Sequence, residues 1–266
     1  MDRISYIFKG QDEVFKEYQF GLFLEDTAKQ LYTDIEYKKR IPDFLGKTVK
    51  VTEKQFPKVY QMSKEICTHL NIELPDIYVF EDKYYGAQSY GIDKFWIEVS
   101  AKTIYDFTDD ELKFVLAREL YMIADRVTEY KTLLDQRLKG IKFLSKGTLE
   151  NASKLEYYHW YRMANYSADN FGYLMCGNIK TAIYAILKRV LNNVKLANQV
   201  DLGEFIRQAA EINKLDDDVY NYTKADEKIP YAPLRMQNLI SYAISNRGMK
   251  AMLSLQNPQL AINLSK

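Results

Sequence analysis

The chain has 266 residues, 47% of them hydrophobic, which is enough for one sizeable domain with or without a helical extension. Its 37 basic and 36 acidic residues leave a net charge of +1 with no long run of either sign, so neither a nucleic-acid groove nor a basic membrane-surface patch is expected. No apolar stretch reaches the length of a membrane span, Met1-Asp2-Arg3 does not open a signal peptide, and Cys67 and Cys176 are too few and too far apart for a disulfide framework; the expectation is a cytoplasmic protein with buried, reduced thiols and no membrane span.

Residues 1–9 show little periodicity, and residues 10–40 read as one or two amphipathic helices ending in the basic run Lys38-Lys39-Arg40. Ile41-Pro42-Asp43-Phe44-Leu45-Gly46 is a break, which divides the chain into an N-terminal helical extension at 1–44, a main domain at 45–256 and a tail at 257–266. Val49 and Val51 mark a short extended piece. Thr52 and Gln55 have the spacing of a capping box for a helix running to about Leu70, with His69 near its end. Three strands follow, at 76–80, 86–91 and 95–100. The second lies between Gly86 and Gly91 and reads as an edge strand, where another backbone can add.

The helix at 108–127 is the centre of the pattern. Thr108 and Glu111 form a capping box, Asp109 and Asp110 add negative charge at the positive end of the helix dipole, and Leu112, Val115, Leu116, Leu120, Ile123 and Val127 recur at helical spacing. Arg118 and Glu119 stand among these apolar neighbours, and a buried charge needs a partner. Amphipathic helices follow at 129–145, 180–197 and 201–214. A long aromatic helix runs over about 149–176, carrying Asn165 and Asp169 four residues apart with Arg162 one turn before. Residues 216–227 read as a loop, and Pro230 and Pro233 precede a last helix at 234–245. The 22 tyrosines suit an aromatic-rich binding surface as well as a core.

Arg118-Glu119-Leu120-Tyr121-Met122 has the layout of His-Glu-x-x-His with both histidines replaced. Leu74-Pro75-Asp76-Ile77-Tyr78-Val79-Phe80, Gly86-Ala87-x-x-Tyr90-Gly91, Trp96-Ile97-Glu98-Val99-Ser100, Trp160-Tyr161-Arg162-x-x-Asn165-x-Ser167-Ala168-Asp169-x-x-Gly172 and Pro230-x-x-Pro233-Leu234-Arg235 surround it in order. Over about residues 45–250 this resembles the HtpX-like, CAAX-prenyl-protease-type zinc metallopeptidases, a gluzincin group, and is closest to their soluble bacterial branch. The resemblance implies an α+β, mostly helical fold, with a small mixed sheet on a metallopeptidase-like helical core. It also implies that Arg118 and Met122 stand where the family has its two zinc histidines, Asn165 where it has its ligand glutamate, and Ile229 where it has a histidine near the substrate oxyanion. Glu119 keeps the general-base position, Asp169 the acid that orients a zinc histidine, and Arg235 the late arginine.

A catalytic zinc needs about three protein ligands, and here all three are replaced, one by a permanent cation. No metal and no cofactor are therefore expected. Arg118 is expected to fill the old metal cavity against Asp169, with Asn165 and Glu119 beside it. The functional expectation is a pseudopeptidase in which Arg118, Glu119, Met122, Asn165, Asp169 and Arg235 form a vestigial site. It would bind a peptide or protein partner along Gly86, Ala87, Gln88, Ser89 and Tyr90. The alternative is an active hydrolase with a non-standard metal site and Glu119 as base.

Overall fold

The structure is a computed structural model that describes residues 1–17, 29, 32–144 and 148–256. The tail at 257–266 and much of the stretch between the first two helices lie outside the described residues. The fold is α+β and mostly helical. Helices α1 (Gln11–Glu17) and α2 (Lys38–Lys47) lead to strand β1 (Val49–Lys50) and helix α3 (Pro57–Leu70). Strands β2 (Asp76–Phe80), β3 (Ala87–Gly91) and β4 (Phe95–Ser100) follow, then α4 (Ala101–Asp106), α5 (Asp109–Ala124), α6 (Val127–Leu144) and α7 (Thr148–Cys176). The chain continues through α8 (Ile179–Leu191), α9 (Val194–Ala197), α10 (Leu202–Lys214), α11 (Asp218–Asp226), α12 (Ala232–Ile244) and α13 (Asn246–Gln256).

The sheet runs β1-β2-β4-β3, with β2 and β4 parallel and the other pairs antiparallel. Because side chains alternate across a strand, Ile77, Val79, Ile97 and Val99 share one face and enter the main core with the helices. Tyr78 and Trp96 point the other way, where Phe44 of α2 stacks on Tyr78 at 4.6 Å. Residues 1–17 pack elsewhere. Tyr6 is buried against Tyr121 and Phe171, and Gln11 bonds Asp125 and Ser167. The segment expected as an extension therefore packs on the domain from two sides.

Helix α5 is the core element. Its capping box is formed in both directions, Thr108 N–H to Glu111 at 2.8 Å and Glu111 N–H to Thr108 at 3.4 Å. Phe114, Val115, Leu116, Leu120 and Tyr121 are wholly buried, each such side chain contributing roughly 1.5–3 kcal/mol relative to exposure. Helix α7 crosses α5 closely because Ala164, Ala168 and Gly172 recur every fourth residue. At Gly172 an added Cβ would lie 2.8 Å from the Phe114 ring and 3.0 Å from Arg118 Cγ.

Four expectations are corrected, the first being the break at Ile41–Gly46, which lies within α2 with Pro42 inside the helix. Thr52 and Gln55 close a turn, with Gln55 N–H donating to Thr52 Oγ1 at 3.0 Å, while the helix starts at Pro57 after Phe56 in the left-handed region. Pro57 supplies the pre-set φ of a first helical residue, which outweighs the Thr-x-x-Gln signal. Residues 216–227, read as a loop, contain α11, capped by Asp217 on Tyr220 N–H. Helix α13 follows the last expected helix, after Ser245 interrupts α12.

Candidate functional site

Arg118 lies in the middle of α5 and is only 3% exposed. Its Nε donates to Asp169 Oδ1 at 2.6 Å, and Nη2 donates to Asn165 Oδ1 at 2.9 Å. Asn165 uses its amide hydrogen on the Tyr161 carbonyl at 2.8 Å, so its oxygen is aimed at the guanidinium. Asp169, fully buried on α7, also accepts from Arg235 of α12, at 2.8 Å from Nε and 2.7 Å from Nη2. Burial alone would raise the Asp169 carboxyl, but the Arg235 and Arg118 guanidiniums outweigh it and hold the group below its usual range. Pro233 sits in the first turn of α12, the turn before Arg235 reaches Asp169.

Glu119 faces the sheet. Its Oε2 accepts from the Ser89 N–H at 2.8 Å and the Ser89 hydroxyl at 2.9 Å, and its Oε1 lies 3.9 Å from Arg118. Lys131 of α6 donates to the Ser89 carbonyl at 2.6 Å. Burial lowers the Lys131 amine to about 8, with Glu119 opposing the shift. The Gly91 N–H donates to Thr132 at 3.3 Å. These are the backbone groups of β3 that turn away from β4, so the outer edge is closed by side chains at Ser89 and Gly91. The expectation of an open edge over 86–91 is corrected in that respect. The periodicity of the strand reports its face, not what reaches its edge. Ala87, of the same parity as Ser89, is the position left facing the cleft.

A cleft of about 430 Å³ opens over this layer. Arg118, Glu119, Asn165 and Arg235 line it, together with Ala87, Gln88 and Tyr161, and the Ile229-Pro230-Tyr231 turn forms one wall. Met122 is 3% exposed within the apolar core and does not line the cleft. Tyr90 turns to the opposite face of the sheet, stacked on Trp96 at 5.6 Å. Gly86 lies beside Arg189 of α8. Arg189, absent from the sequence reading, also lines the cleft, and burial together with the Arg118 and Arg235 charges pushes it down to about 10. The signal available was the adjacent pair Lys188-Arg189 inside an apolar helix, of which Lys188 is used on Glu111 at 2.6 Å.

No family model matches the chain. Over 199 residues, 72% of its length, it is 25% identical to the plastoglobule-localized metallopeptidase 48, chloroplastic, of Arabidopsis thaliana. The chain is similar to a metallopeptidase. It spans 57% of that protein's length. The metal that the relative's name implies does not fit the side chains of this cleft. A guanidinium, a thioether turned into the core and an amide already committed to Arg118 are not a zinc donor set. Among the described residues no group of three His, Cys, Asp or Glu could hold a metal ion, and His69 and His159 stand outside the cleft. No described helix is long and apolar enough to cross a membrane.

Proposed function

We propose that this chain is a pseudopeptidase of the HtpX-like, CAAX-prenyl-protease type, working in the cytoplasm by binding a peptide or protein partner in the cleft rather than by cleaving it. The observation that supports this most directly is the Arg118 guanidinium held between Asp169 and Asn165. A fixed cation at that position repels a divalent metal and occupies the acids and amides that would surround one. Glu119, the general-base position of the resemblance, is tied to Ser89 by two hydrogen bonds. A base without a polarised water has no peptidase step to perform. The cleft remains large enough for a few residues of chain, and Ala87 presents backbone groups of the kind that extended peptides pair with.

The test has two parts. Metal content of the purified chain is measured by mass spectrometry, with and without added zinc, and hydrolysis is followed on casein and on a random-hexapeptide pool. Metal far below one per chain, no cleavage, and retention of peptides from the pool are the expected results. One tightly held metal per chain with cleavage would overturn the reading in favour of a hydrolase using Glu119.

A further inference from the structure

Among the charges at the cleft floor, two arginines are answered by acids. Arg118 and Arg235 share Asp169, and Glu119 lies within 4 Å of Arg118. Arg189 is different. It reaches the same cleft from α8, is half-buried, and makes no hydrogen bond or ion pair among the described residues. Its Nη2 would lie 3.6 Å from a Cβ built on Gly86, so its guanidinium rests against the entry to β3, one residue before Ala87. A guanidinium is always charged and offers a planar fork of donors that matches a carboxylate. Held in a cleft with two other arginines, it feels Glu119 and Asp169 only at longer range and has no hydrogen-bonded or ion-paired partner among the described residues.

We infer that the cleft recognises the C-terminal carboxylate of a peptide, with Arg189 as the residue that pairs with it and the Ala87 backbone as the neighbour of the adjoining peptide bond. This rests on the peptide-binding reading above and names the part of the peptide that enters. The charge balance selects a monoanion. With Arg118 and Arg235 set against Asp169 and Glu119, one positive charge remains on the floor, and Glu227 at the exposed rim disfavours a dianion such as a phosphate. Ala87 is the outward position of β3 beside Arg189, two residues before Ser89, whose backbone is taken by Glu119 and Lys131.

The experiment compares a random-hexapeptide pool with free C-termini against the same pool amidated at its C-termini, both passed over the immobilised full chain and quantified by mass spectrometry. Free peptides are expected to be retained at least about tenfold better than amides, the equivalent of one charged contact. Arg189→Met should abolish that preference, and Arg189→Lys should keep part of it. Thermal melts of both variants establish that they are folded. Equal retention of free and amidated pools by the native chain overturns this inference and leaves peptide binding standing. Retention of neither pool overturns both. A preference unchanged in folded Arg189→Met overturns the role of Arg189.

Discussion

Arg118 and Asp169 meet at 2.6 Å with both side chains almost wholly out of solvent, on helices brought together by a glycine three residues beyond the acid. A buried ion pair of this kind adds little over a well-packed apolar pair, but removing one partner strands the other. Here the acid answers two guanidiniums at once, Arg118 and Arg235.

Replacing Asp169 by Asn is therefore expected to destabilise the chain by roughly 3–5 kcal/mol, because two buried cations lose their counter-charge. Urea unfolding of the variant measures this. A loss below about 1 kcal/mol would mean that the two arginines find solvent or Glu119 instead.

The same pair sets an acid limit. The Asp169 carboxyl lies below the usual carboxylate range, so its contribution is complete above the unfolded-chain value of about 3.9 and is lost as the pH falls through the lower folded value. The stability gap between the native chain and Asp169→Asn should be constant from neutral pH down to that region and shrink below it. A gap of equal size at every pH would contradict the assignment.

Lys131 acts in the opposite range. Its amine is lowered to about 8 by burial, against about 10.4 in an unfolded chain, so between those values the unfolded chain binds more protons and stability gains with rising pH. Comparing the pH dependence of unfolding of the native chain with that of Lys131→Met isolates the effect from the tyrosines that titrate nearby. The native chain should gain on the variant across that window. Parallel curves would show that the amine keeps its ordinary value.

Gly172 is expected to tolerate no side chain at native separation. A Cβ there meets the Phe114 ring at 2.8 Å and Arg118 Cγ at 3.0 Å, both on the facing helix. Gly172→Ala should cost about 1–3 kcal/mol through overpacking, despite alanine's better helix propensity. Thermal denaturation reads the sign directly, and a stabilised variant would show that α5 and α7 separate freely.

Much of the fold was legible along the chain because its signals are local. The capping box at Thr108 and Glu111 forms as read, since both partners lie within one turn. The alternation in 95–100 and 76–80 produced β4 and β2, and the aromatic run produced α7. Local signals also misled. Thr52 and Gln55 carry the spacing of a cap but close a turn, because Pro57 decides where the helix begins. At 216–227 the polar composition hid a helix that has no fully buried residue and is half-buried only over its last three, so it has no apolar stripe to betray it.

What the sequence by itself determined is which residue types stand around the motif-like centre: an arginine, a glutamate and a methionine on one helix, an amide and an acid one turn apart on another, and a late arginine. Which of these meet was a matter of tertiary structure alone. Asp169 is shared between Arg118 and Arg235 across 51 and 66 residues, Met122 turns into the core, and Ser89 closes over Glu119 instead of offering its edge. Arg189 is brought to the cleft from a helix that the sequence marked only as amphipathic. The reason is that hydrogen bonds and ion pairs between distant segments depend on how helices and sheet are packed, and the spacing of residues along a chain carries no record of that distance.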